Sequence, residues 1–265
     1  MSGQQKEKGR AKMRLANKVA IITGAGSGLG RGSAILFAKE GAKIAVADIN
    51  DAGGDETVAA IKSSGSEAIF VHTDVSKATD VKNLIKTTKD KFGKIDIILN
   101  CAGIPQRPTS VEDLDESLWD RIFSVNVKSM FLMAKYAFPV MREAGSGVMI
   151  NLASISGLRP RQGSSAYASS KAAAINLTRI LALEGAPNNI RVNAINPVAA
   201  DTPMLPGLLA EGIDFNKARQ ALIDTVPLGR LATPQDVAYA ALYLASDESA
   251  LLTGTCINVD GGRGV

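Results

Sequence analysis

The chain is poor in the residues that build metal centres. Among 265 residues there is one histidine, His72, and two cysteines, Cys101 and Cys256. The cysteines are far apart and match no ligand spacing, and one imidazole cannot complete a Cys/His site, so no zinc module is expected. Two isolated thiols build no disulfide framework either, which suits a reducing compartment and a cytoplasmic location. Aromatic residues are only 5% of the chain. No apolar run approaches the ~18 residues of a membrane span. A surplus of one charge is also missing from the body of the chain. The formal net charge of +4 arises in residues 1–14, where Lys6, Lys8, Arg10, Lys12 and Arg14 face the single acid Glu7. A basic balance confined to a tail is no sign of a nucleic-acid partner. The tail has no apolar h-region and does not read as a secretory signal. It is expected to be a disordered extension over 1–14, with Met13 near the functional start. Internal repeats and low-complexity tracts are absent as well.

What the chain has is apolar residues, 46% of the total, arranged in alternating strand-like and helix-length segments. Strands are predicted near 18–23, 43–47, 67–71, 95–100, 147–152, 190–195 and 255–259. Several are near-continuous apolar runs, such as Gly147-Val148-Met149-Ile150. Such runs fit strands buried on both faces of a parallel sheet. The pattern predicts a single-domain, doubly wound α/β fold over 15–265, with a mainly parallel, seven-stranded sheet. Residues 197–234 break the rhythm with five of the ten prolines. A long insertion at the carboxyl end of a strand suits a binding loop, expected near 198–225. Met204, Leu205, Leu208 and Leu209 would form a short helix closing over a substrate.

The glycine-rich stretch Thr23-Gly24-Ala25-Gly26-Ser27-Gly28-Leu29-Gly30 lies between an apolar run and a helical pattern. Glycines there let the backbone approach a pyrophosphate, and the first N–H groups of the helix face its charge. Asp48 ends the second strand run, 20 residues beyond Gly28. An acid at that place accepts from ribose hydroxyls and repels a 2′-phosphate, which favours NAD over NADP. The competing reading of Asp48 is a helix cap or surface acid.

Tyr167 and Lys171 are spaced i,i+4 in an alanine-rich helical segment, on one face. A nearby ammonium favours phenolate, so the pair would make a general base for an alcohol proton, or an acid in reverse. Ser154 stands at the carboxyl end of a strand run, 13 residues before Tyr167. It would orient a substrate oxygen, although a lone serine more often caps a turn. Asn126 interrupts a helical apolar pattern, as an ordinary hydrogen-bonded polar residue also would.

Together, in this order and spacing, these residues resemble the short-chain dehydrogenase/reductase family. The glycine pattern Gly24-x-x-x-Gly28-x-Gly30 is that family's variant, and Asn100-Cys101-Ala102-Gly103 is similar to its Asn-Asn-Ala-Gly motif. The resemblance runs from about Leu15 to Asp260-Gly261-Gly262. It implies that Asn126, Ser154, Tyr167 and Lys171 form a catalytic tetrad: the tyrosine as acid/base, the serine on the substrate oxygen, the lysine on both the tyrosine and the nicotinamide ribose, and the asparagine retaining a water. It implies cofactor contacts from Gly24, Ser27, Gly28, Leu29, Gly30, Asp48, Ile49, Asp74 and Val75. Further contacts are implied from Asn100, Ala102, Gly103, Tyr167, Lys171, Pro197, Val198 and Thr202, with Asp74 on adenine and Thr202 on the carboxamide. Pro197-Val198 replaces the family's Pro-Gly, so that loop is expected to run differently. The activity implied is NAD-dependent hydride transfer to or from a secondary alcohol or ketone, such as a sugar, sugar acid or cyclic ketone. The alternatives are an NADPH-linked 3-oxoacyl-(acyl-carrier-protein) reductase and a non-catalytic dinucleotide-binding scaffold. The former tends to carry basic residues where this chain has Gly145 and Asn188. Arg159 and Arg161 would meet an anionic substrate or simply be solvated. A homotetramer is implied, through the helices near 117–141 and 168–184.

Overall fold

A computed structural model describes residues 13–265 of the chain. The tail expected over 1–14 lies outside the described residues except for its last two positions. Arg14 is bound to the body: its backbone N–H donates to Glu40 at 2.9 Å and its guanidinium forks onto Glu248 at 2.9 and 2.7 Å.

The strands are β1 (Val19–Thr23), β2 (Lys43–Asp48), β3 (Ala68–His72), β4 (Ile97–Asn100), β5 (Gly147–Leu152), β6 (Ile190–Pro197) and β7 (Cys256–Val259). They form one sheet in the order β3-β2-β1-β4-β5-β6-β7, with every pairing parallel. The predicted doubly wound fold with seven strands is what the described residues adopt. Successive side chains of a strand point to opposite faces, and here both faces are apolar. Ile21, Ile98, Met149 and Val192 share one register row and one core cluster; Ile22, Leu99 and Ile150 share the next row and the other cluster. Helices α1 (Gly28–Lys39), α2 (Asp51–Ser63) and α8 (Pro234–Ala245) cover the Ile22 face. Helices α3 (Ala78–Phe92), α5 (Ser129–Glu143) and α6 (Ser165–Gly185) cover the Ile21 face. Each fully buried isoleucine or leucine contributes roughly 1.5–3 kcal/mol, so the two layers hold the sheet as a rigid platform.

That platform sets the place of a site. The chain leaves β1 to build β2 and β3 on one side, then returns to build β4 to β7 on the other. The order therefore reverses between β1 and β4, and a crevice opens at the carboxyl ends of those strands. Between β6 and α8 the proline-rich segment folds as a 3-10 turn (Leu205–Leu208) and α7 (Phe215–Ile223). Leu205, Leu209, Leu222 and Leu231 form its own small core. The expected short helix is thus one turn, and its apolar residues divide: Leu205 and Leu209 turn inward, whereas Met204 and Leu208 line the crevice.

Candidate active site

The crevice is a cavity of about 500 Å³. Its floor is the turn from β1 to α1. Gly24 (φ +64°) and Gly28 (φ +50°) have left-handed backbones that disfavour side chains. A Cβ on Gly30 would sit 2.2 Å from the Gly24 carbonyl oxygen, and one on Gly24 would sit 2.8 Å from Ala102 Cα. These glycines are required by close backbone approach as much as by φ. Ser27, at the N-cap of α1, makes no side-chain cap bond, and the first turn of α1 holds no acid. The helix start therefore offers its N–H groups to the cavity. Thr23 Oγ1 accepts from the Cys101 and Ala102 N–H groups, each at 3.1 Å, and so ties the end of β4 to the turn.

Asp48 lines the cavity at the end of β2. Its carboxylate accepts from Gly26 N at 2.7 Å and Asn50 N at 2.9 Å. The acid thus braces the glycine turn besides facing the crevice. Ile49, Asp74 and Val75 continue this end of the cavity. Burial works against the Asp74 carboxylate, but hydrogen bonds from Ser76 and the Lys77 ammonium together hold its pKa below the usual value.

At the other end Ser154, Tyr167 and Lys171 line the same cavity. Ser154 follows β5, where it caps a 3-10 turn by accepting from Ser156 N at 3.1 Å. Tyr167 lies in the first turn of α6, with Lys171 one turn further on. Lys171 Nζ donates to the Leu152 carbonyl at 2.8 Å and lies 5.7 Å from the Tyr167 ring centre. Burial pushes the Tyr167 phenol up from its ordinary pKa, and a hydrogen bond from Ser154 and the charge of Arg161 only partly offset it. Burial likewise pushes Lys171 down to about 8. Burial thus opposes the effect expected of Lys171 on the phenol and shifts both groups toward neutrality. Cys101, near Lys171 in the cavity lining, is pushed up to about 12 by burial, which favours the thiol over the thiolate.

Two expected site residues stand behind the cavity wall. Asn126 is fully buried in a π-helical turn (Ser124–Lys128) that joins α4 (Glu116–Phe123) to α5. Its Oδ1 accepts from Ile104 N at 2.9 Å, and its Nδ2 donates to the Ile104 carbonyl and to Ser170 Oγ, each at 3.1 Å. Asn126 therefore pins the loop after β4 to α6. It meets the cavity through Ile104 and Gly103, and a Cβ added at Gly103 would stand 3.3 Å from Asn126 Oδ1 and 3.6 Å from Lys171 Nζ. Asn100, expected to touch the cofactor, turns its side chain away from the cavity. Its side chain is buried in the sheet and donates to Asn151 Oδ1 at 2.8 Å, while Asn151 donates to Thr178 Oγ1 at 2.9 Å. Asn100 thus bridges β4, β5 and α6 and does not line the cavity. The remaining residues expected to touch a cofactor (Leu29, Ala102, Gly103, Pro197, Val198 and Thr202) all do line it.

The Pro197-Val198 loop runs without strain. Val198 has no positive φ, and its N–H donates to the Val259 carbonyl at 3.1 Å, so the ladder to β7 simply continues. Thr202 then lies over the glycine turn, 3.3 Å from where a Gly28 Cβ would stand. A residue the sequence reading passed over within its loop is Gln106, 3% exposed. Its Oε1 accepts from Tyr167 N at 2.9 Å and its Nε2 donates to the Gly163 carbonyl at 3.1 Å. Gln106 locks the start of α6 and the loop before it. A polar residue in a loop flanked by prolines was its only signal.

The cradle fits a dinucleotide: a turn in which a Cβ would collide with backbone, an uncapped helix start and an acid at the neighbouring strand end. No group of three or more His, Cys, Asp or Glu side chains that could hold a metal occurs among the described residues. None of the described helices is long and apolar enough to cross a membrane.

A doubly wound sheet with this turn at its switch point, and a tyrosine, lysine and serine facing it, defines an oxidoreductase of the dinucleotide-crevice class. The chain belongs to the short-chain dehydrogenase/reductase family: a family model described as enoyl-(acyl carrier protein) reductase matches residues 24–263. It is 39% identical to a 4-formylbenzenesulfonate dehydrogenase of Comamonas testosteroni, across 96% of this chain and 100% of that protein. It is 38% identical to a cis-4-hydroxycyclohexanecarboxylate dehydrogenase of Sinomonas cyclohexanicum, across 93% of this chain and 96% of the relative. Among solved structures, a 3-ketoacyl-(acyl-carrier-protein) reductase of Brucella melitensis complexed with NADH superposes with a TM-score of 0.88. That protein is 40% identical, and the match covers 95% of this chain and 100% of the other.

Proposed function

We propose that the protein is an NAD-dependent dehydrogenase that interconverts a secondary alcohol and its ketone. The observation that carries this reading is the convergence of Ser154, Tyr167 and Lys171 on one cavity with Asp48 and the glycine turn. The nicotinamide supplies the hydride acceptor or donor. The protein's own groups do the rest. Ser154 Oγ holds the substrate oxygen, and the Tyr167 phenolate takes the hydroxyl proton as the carbinol carbon loses hydride. In reduction the Tyr167 phenol returns that proton to the nascent alkoxide. Lys171, held by the Leu152 carbonyl, places a positive charge beside the phenol while it is protonated, below its lowered pKa of about 8. Asn126 acts by holding the loop after β4 against α6.

Asp48 favours NAD over NADP, since a 2′-phosphate would lie against a carboxylate. The cation bound to the same turn does not offset it. Arg31 binds the Gly26 and Gly53 carbonyls and is paired with Glu56 at 2.9 Å. A secondary alcohol on a ring fits the printed substrate of the Sinomonas relative. The test is reduction of NAD⁺ and NADP⁺ over a panel of secondary alcohols. A clear NAD⁺ preference with at least one cyclic alcohol is expected, and turnover confined to NADP⁺ would refute the reading.

A second reading, reduction of 3-oxoacyl groups on a carrier protein, is favoured by the Brucella neighbour. It is weakened by the uncharged Gly145 and Asn188 near the ends of the helices flanking β5. Comparing a 3-oxoacyl thioester with a cyclic ketone as substrate separates the two. We further propose a cytoplasmic homotetramer. Phe131 on α5 and Ile180 and Leu183 on α6 are 46%, 45% and 78% exposed, which suits a helical interface. Light scattering of the purified protein should give four chains; a stable monomer would contradict this.

A further inference from the structure

The two arginines between Ser154 and Tyr167 have different fates. Arg159 is engaged by the end of the chain, donating to the Arg263 and Val265 carbonyls. Arg161, two residues on, lines the cavity. The loop that carries it is held at both sides. Ser164 Oγ donates to the Arg161 carbonyl at 2.5 Å, and the Gly163 carbonyl accepts from Gln106 Nε2 at 3.1 Å and Thr109 N at 3.0 Å. The guanidinium itself has no carboxylate within 4 Å among the described residues. The acids that line the cavity, Asp48 and Asp74, stand at the β2 and β3 side, with β1 and β4 between them and this loop.

Arg121 also lines the cavity, but Arg161 is the arginine whose charge reaches the Tyr167 phenol. Partial burial and the like charge of Arg263 both work against the Arg161 guanidinium, which keeps a side open to solvent. An anion placed there would offset that like charge and make a forked, charge-assisted pair. The apolar residues Ile104, Pro108, Val198, Met204 and Leu208 line the same cavity. The substrate end of the cavity thus offers a cation, an apolar wall and a proton-transfer pair.

We propose that Arg161 is the anion-binding residue of the substrate site, and that the preferred substrates are alcohols or ketones bearing a carboxylate or sulfonate on a compact apolar frame, remote from the reacting carbon. This rests on the dehydrogenase reading for the chemistry but not for the binding. The test therefore measures the two apart. NAD⁺-loaded protein is titrated calorimetrically with cyclohexanecarboxylate, cyclohexanesulfonate and the neutral cyclohexanecarboxamide. In parallel, 4-hydroxycyclohexanecarboxylate and its amide are compared as substrates by kcat/KM.

At least one of the two anions should bind the wild-type protein about 10-fold or more tighter than the amide, and the acid should be preferred as substrate by a similar factor. The carboxylate and sulfonate arms show which anion the site prefers. Arg161→Met should abolish the preference, and Arg161→Lys should restore part of it, since a point charge lacks the fork. Anion binding that is unchanged in Arg161→Met, or a wild-type protein that prefers the amide, would overturn the proposal. Arg161-dependent binding without turnover would leave the anion site standing and count against the dehydrogenase reading. Turnover of the acid with no dependence on Arg161 would do the reverse.

Discussion

Asp48 is the side chain on which the choice of dinucleotide depends, and its replacement can be worked through from the structure. The carboxylate accepts two backbone N–H groups, from Gly26 at 2.7 Å and Asn50 at 2.9 Å. In Asp48→Ala both donors lose a charged acceptor. Such bonds contribute about 1.5–3 kcal/mol each when buried, and less here because Asp48 is half-exposed and water can replace it. A stability loss of about 1–3 kcal/mol is expected. The same substitution removes the acceptor proposed for the adenosine ribose. One or two charged hydrogen bonds lost there should weaken NADH binding by roughly 10- to 100-fold. Binding of NADPH should change little or improve, because the repulsion is gone.

A turn that merely loosened would weaken both nucleotides alike, so the ratio of the two affinities is the diagnostic quantity. Asp48→Asn refines it by keeping an acceptor for Gly26 N while removing the charge. The assay is fluorescence titration with NADH and NADPH, beside urea unfolding for stability. An NADH-to-NADPH preference unchanged in both variants would refute the role given to Asp48.

Three further outcomes follow from the geometry. Alcohol oxidation needs the Tyr167 phenolate, and burial raises that group's pKa, so kcat/KM for oxidation should climb with pH through the alkaline range. Ketone reduction needs the phenol and should fall over the same range; an oxidation rate already flat from pH 6 would contradict the buried phenol. Gly30→Ala places a methyl 2.2 Å from the Gly24 carbonyl, backbone that cannot turn aside. It should cost about 1–3 kcal/mol and abolish NADH binding, and an unchanged Tm with full binding would show that the turn is looser than described. Leu222→Ala removes buried packing beneath the segment between β6 and α8. That should cost about 2–5 kcal/mol locally, read as a higher KM for the alcohol and faster proteolysis within 198–225; unaltered values for both would mean that this small core does not hold the loop.

The strands were legible because both faces of the sheet are covered, which leaves near-continuous apolar runs with sharp ends. The glycine turn, Asp48, Ser154, Tyr167 and Lys171 were legible because a parallel sheet gathers its strand ends at one edge. Other features depend on details that no spacing encodes. The π turn that buries Asn126 adds one residue to a helical repeat, and nothing in Ser124-Val125-Asn126-Val127-Lys128 announces it. Asn100 ends β4 and Asn151 is the penultimate residue of β5, and only their parallel register reveals that they bond to one another. Arg159 and Arg161 look equivalent in sequence; the path of their loop, pinned through Gln106, parts them. The shifts at Tyr167 and Lys171 follow from burial on α6, which an i,i+4 spacing does not convey.

The account depends most on the Tyr167 phenol as the group that exchanges the substrate proton. Tyr167→Phe deletes one oxygen and keeps the ring that α6 buries. The decisive measurement is the single-turnover rate of hydride transfer in this variant, with NADH binding followed by fluorescence in the same preparation. Loss of at least about 10²-fold in rate with NADH affinity within a few-fold of wild type is the predicted result. A variant that still reduces NAD⁺ at close to the wild-type rate would contradict it.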